Sequence, residues 1–117
     1  MHEMKKKYLK ILRIEIEDLQ EDIYGLIRES EKEHDDGLVS EFVFLENLTV
    51  FKREILSLGV FFQILDSVDP ERFENLDDMI EFIRISFNEK ITECSLIKAI
   101  NRYVERKVMK VKKYVVA

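Results

Sequence analysis

Few side chains in this 117-residue chain have the types and spacings that chemistry requires, and the best of them gather in one short stretch. Arg28 and His34 stand with five residues between them, a permanent cation beside the one kind of side chain that titrates near neutrality. Glu31 and His34 have the i, i+3 spacing of the carboxylate–imidazole pair with which helical bundles hold two metal ions. Such a site needs two of these pairs and two further glutamates turned to the core, and the only other histidine is His2. Glu17, Asp18, Glu21 and Asp22 offer oxygens of the kind a hard cation takes, but they lie opposite the apolar positions of their own stretch, as a solvated face does. No glycine-rich phosphate loop occurs, and no Ser/His/Asp or Cys/His set has supporting neighbours. The expectation is a protein with no catalytic residues, no metal and no cofactor.

The spacing of Arg28 and His34 resembles the Arg-x4–6-His motif of the HEPN ribonucleases, which are also small helical dimers. The resemblance covers seven residues and implies a metal-independent ribonuclease acting through Arg28 and His34. The chain departs from that family in two respects. Glu29 follows the arginine where Asn, Asp or His is usual, and the pair sits at the end of the first predicted helix rather than late in the chain. Charge-rich helix ends are ordinary, so a solvated helix terminus is the leading expectation for both side chains.

The element that must organise the chain runs from Leu38 to Val68, where 18 of 31 residues are apolar. Phe44, Leu48, Phe51, Ile55, Leu58, Phe62 and Leu65 step alternately by four and three, the rhythm that holds one helix face against a partner helix. Phe51 and Leu58, mid-seam, are predicted core residues. Apolar residues also occupy both flanks. Val43, Val50, Phe61 and Val68 lie on one, and Leu38, Leu45, Leu56 and Val60 on the other. A helix apolar around most of its circumference needs neighbours on most sides.

Residues 3 to 34 form the first of these neighbours, with a second heptad seam at Leu9, Leu12, Ile16, Leu19, Ile23 and Leu26. Asp35-Asp36-Gly37 is a short turn, with Asp35 or Asp36 as the cap of the next helix, so the two long helices run antiparallel. Asp69-Pro70 ends the second helix and opens a short helical turn, and Asn75 caps a third. The stripe Leu76, Ile80, Ile83, Phe87 changes phase to Ile97, Ile100, Val104, Val108, Val111, which places a break between residues 88 and 95. One kinked helix over residues 75 to 115 is the alternative. The predicted fold is therefore all-α, an antiparallel bundle of four helices (three if that fusion occurs) in a single domain over residues 1 to 117.

Charge is distributed unevenly. Residues 1 to 14 carry a net +4, residues 15 to 93 a net −15, and residues 94 to 117 a net +6. The basic C-terminal helix offers Arg102, Arg106, Lys107, Lys110 and Lys113 to a polyanion. In an up-down bundle the same end carries Asp66, Asp69, Glu71, Glu74, Asp77 and Asp78, so internal neutralisation is expected ahead of nucleic-acid binding. Glu41, Glu46, Lys52, Arg53 and Glu54 interrupt the central stretch too often for a membrane span. Lys10, Arg13, Glu15 and Glu17 likewise interrupt any apolar signal region. The single cysteine, Cys94, is expected to be a small packing residue in a reducing cytoplasm. Abundant Glu, Lys and Ile with two glutamines hint at a thermophilic source.

The leading functional expectation is a non-enzymatic helical interaction or assembly protein, a homodimer joined through Val43, Val50, Phe61 and Val68. A nucleic-acid-associated subunit using the basic helix is the alternative, and the HEPN-like ribonuclease stands behind both.

Overall fold

The computed structural model describes residues 2–94 and 99–117. Ile97 and Lys98, part of the predicted C-terminal stripe and basic tail, lie outside the described residues. Helix α1 spans His2–Asp35, α2 Glu41–Ser67, α3 Leu76–Glu93 and α4 Ala99–Val116, with a short 3-10 turn at Pro70–Arg72. The fold is the all-α bundle of four helices with long first and second members, and the single kinked helix is not formed. Among the described residues no helix is long and apolar enough to cross a membrane.

Local chemistry explains each boundary. Gly37, at φ 74°, closes α1, with the Gly37 and Leu38 amides donating to the His34 and Glu33 carbonyls. The cap of α2 is Ser40 rather than Asp35 or Asp36. Its hydroxyl accepts from the Val43 amide, so Leu38 falls in the turn and α2 begins three residues later than the apolar run suggests. Asp69 accepts from the Glu71 amide ahead of Pro70, and the Asn75 side chain accepts from the Asp78 amide. The third helix ends at Glu93, inside the predicted window, with Cys94 as its cap. Cys94 is exposed, so it is not the packing residue expected. A helix terminus leaves its last carbonyls and side chains open to water, and Cys94 sits at one.

Helix α1 packs antiparallel along α2, α4 lies chiefly on α1, and α3 lies chiefly on α2. The core between them holds Tyr8, Leu12 and Ile16 of α1, Leu58 and Phe61 of α2, Met79, Ile83 and Phe87 of α3, and Ile100, Val104 and Val108 of α4. Tyr8 donates its hydroxyl to the Val108 carbonyl at 3.0 Å inside this core, and burial drives its phenol pKa well above the ordinary range. Leu58 is a core residue as the seam predicts, whereas Phe51 is only partly buried at the edge of the core.

The helices differ greatly in length. At 1.5 Å per residue α1 is about 51 Å long and α2 about 40 Å, but α3 and α4 only about 27 Å each. Two short helices cannot cover two long ones. The α1–α2 hairpin therefore runs on past them as a two-helix arm, and the molecule measures 55 × 29 × 18 Å. Its radius of gyration is 16.5 Å, against about 13 Å for a compact domain of this length.

Candidate interaction surface

The arm carries the most distinctive surface of the protein. On α2 the positions Val43, Val50, Ser57, Phe61 and Ile64 share one face at helical spacing. In the lower half that face is covered, and Phe61 is 0% exposed, with its ring edge-on to Phe87 at 5.0 Å and 86°. In the upper half α3 has ended, and Val43 and Val50 remain 40% and 42% exposed. The predicted interface set thus splits. Phe61 belongs to the core and is withdrawn from the interface, Val68 is half-buried against that core, and Val43 and Val50 stay at the surface. The reason is the reach of α3, which covers the C-terminal half of this face and no more.

Two further apolar surfaces adjoin the exposed part. Beside it, an open groove of about 580 Å³ lies between α1, α2 and the start of α4, with Leu19, Leu26 and Phe51 on its floor and Tyr103 and Arg106 on its wall. Glu54 lines the same groove, and desolvation pushes its carboxyl pKa up. Around the other side of α2, Phe42, Leu45 and Leu56 are exposed, as is Leu38 in the preceding turn, Leu38 and Phe42 by more than 70%. The opposite flank is therefore the barer of the two. The total accessible surface is 7721 Å², about 1,000 Å² more than the size scaling gives for a compact 14.0 kDa monomer.

The basic helix is partly neutralised within the chain. Lys107 and Lys110 both reach Glu15 of α1, at 3.1 and 2.7 Å, and Lys112 reaches Asp77 of α3 at 2.8 Å. The Lys110 hydrogen bond is the largest cause of a lowered Glu15 pKa, with Lys107 adding to it. Arg13 pairs with Asp66, and Lys5 donates to the Phe73 carbonyl. Asp66 and Asp77 are thus the corner acids found in ion pairs with basic side chains near the termini, while Glu15 is a partner that charge counting missed. A signal was available, since Glu15 falls one turn below Leu19 on α1 and faces the incoming helix. Arg102, Arg106 and Lys113 are exposed and make no ion pair among the described residues, and Arg106 lies 5.9 Å from the Tyr103 ring centre.

The side chains with chemical promise do not converge. Arg28 turns back along α1 to Glu21, 3.4 Å away, and both are exposed. His34 stacks its ring on Phe44 of α2, with centroids 4.4 Å apart and planes at 13°. The two point to different neighbours, so they frame no common substrate position. Glu31 is exposed, and among the described residues no three His, Cys, Asp or Glu side chains gather as a metal would need. Comparison with family models, with curated proteins and with solved structures returned no match.

Proposed function

We propose that the protein is a non-enzymatic helical assembly module that self-associates through its protruding arm. The observation that carries this reading is the continuation of a core face beyond its cover. The α2 face that buries Phe61 under α3 presents Val50 and Val43 to solvent about three and five turns further on. An apolar stripe left bare in this way is the ordinary mark of an interface. The excess surface of about 1,000 Å² is also comparable to the roughly 800 Å² that one partner buries in a standard interface.

Light scattering on the eluting protein tests the reading. The expected mass is twice the 14.0 kDa of one chain. Val50→Glu, at an exposed position, should leave the helical content intact and give the single-chain mass. A wild-type monomer at high micromolar concentration refutes the proposal. A nucleic-acid partner has a narrower basis, since three of the five candidate cations, Arg102, Arg106 and Lys113, make no ion pair among the described residues. Retention on DNA or RNA that falls steeply with salt would favour it.

A further inference from the structure

Resting on that reading, we propose that the second copy docks antiparallel, arm against arm, with the acidic tip of each arm set beside the start of α4 of its partner.

The shape favours a lapped joint. Each chain is two layers thick where α3 and α4 lie on the hairpin and one layer thick along the arm. The bare part of α2, from residue 41 to about 53, is roughly 20 Å long. A twofold axis perpendicular to the arm lays one bare length on the other, with Val43 of each copy against Val50 of its mate. Each arm then fills the space that a longer α3 and α4 would have occupied. The tip of one arm comes to rest where the two-layer part of the other copy begins, at the first turns of α4.

Charge selects this direction over the parallel one. Residues 28–41, which form the tip, carry six acids against Arg28 and Lys32, a net −4. Residues 99–117 carry six bases against Glu105, a net +5. Three of those bases form ion pairs within the chain, and Arg102 and Arg106, at the exposed start of α4, form none among the described residues. Parallel arms would set two −4 tips together, and like charge across an interface costs several kcal/mol. Antiparallel arms set each −4 tip beside exposed arginines. On α1, Asp22, Leu26, Glu29 and Glu33 step by 4, 3 and 4, so Glu29 and Glu33 extend the wall of the groove toward the tip. Arg106 and Tyr103 stand on the facing wall, and Tyr103 is half exposed, the kind of aromatic anchor that interfaces favour.

Charge swapping tests the direction independently of whether a dimer forms. The variants are Arg102→Glu with Arg106→Glu, and Glu29→Lys with Glu33→Lys, each checked for wild-type helicity by circular dichroism. Each alone meets like charge at both ends of the joint, so its self-association at low salt should weaken by at least about tenfold. An equimolar mixture should form a heterodimer with restored affinity by sedimentation, because both ends are then complementary. If either double variant fails the helicity check, Arg106→Glu and Glu29→Lys serve in the same mixing design. A wild-type dimer indifferent to both variants, or a mixture as weak as its components, overturns the antiparallel arrangement and leaves self-association standing. A wild-type monomer overturns both.

Discussion

Truncating Phe61 separates a core role from an interface role. The ring is fully buried between α2 and α3 and packs edge-on against Phe87. Phe61→Ala removes six ring carbons from a fully buried site against Phe87. Core Phe→Ala changes cost about 3–5 kcal/mol, of which the lost aromatic pair accounts for roughly 0.5–1.5 kcal/mol. A domain of this size is stable by about 5–15 kcal/mol, so the variant should retain a folded state but with a large part of its margin gone. Phe61→Leu restores most of the volume and should cost no more than about 1.5 kcal/mol. The assay is urea denaturation followed by circular dichroism, with the midpoint measured at several protein concentrations. A core role predicts the same loss at every concentration and an unchanged dissociation constant for the proposed dimer. A loss under 1 kcal/mol, or a stable variant that has merely become monomeric, would refute the placement of Phe61 and return it to the interface.

Three further expectations follow from the ion pairs and buried groups. Glu54 has a raised pKa through desolvation, so it favours the folded state when protonated: stability should rise as pH falls through its folded pKa toward the ordinary 4.5, and Glu54→Gln should remove that slope in pH-dependent denaturation. Asp22, Arg106, Lys107 and Lys110 share the groove with Glu54, and the slope should persist when Asp22 is replaced by Asn. Glu15 has a lowered pKa, so its contribution is complete above 4.5 and is lost as pH falls through the lower, folded value; Glu15→Gln should cost about 1–3 kcal/mol at neutral pH, and less in high salt. Tyr8→Phe removes one buried hydroxyl donor to Val108 and should lower stability by about 1 kcal/mol in the same denaturation experiment, with no change in association.

Much of the fold is legible in local patterns. The 3–4 stepping of the α2 seam marks the face that meets α1, and Gly37, Asp69-Pro70 and Asn75 mark three of the boundaries. The chemistry at those positions acts over one turn of chain, so no tertiary contact is needed to see it. Two small errors have the same local origin. Both Asp36 and Ser40 are good caps, and the structure uses the serine because Gly37 turns the chain before α2 can start. Cys94 looks like a packing residue by type, but its position at a helix terminus leaves it exposed.

The error at Phe61 is of another kind. Val50 and Phe61 are eleven residues apart, almost a whole number of turns, so periodicity assigns them to one face and gives them one fate. Burial depends on a quantity that the pattern of α2 does not contain, namely how far α3 runs beside it. That length is set at Glu93, where no proline or glycine enforces a stop and only a change of stripe phase signals one. Had α3 continued for three more turns, it would have covered Val50 and Val43 as it covers Phe61, and the chain would have closed as an ordinary bundle. Because it stops, one face of one helix has two fates: its C-terminal half holds the core together, and its N-terminal half, with Val43 and Val50, stays bare. The boundary between the two lies near Glu54, the half-buried carboxylate that desolvation has already moved from its ordinary pKa.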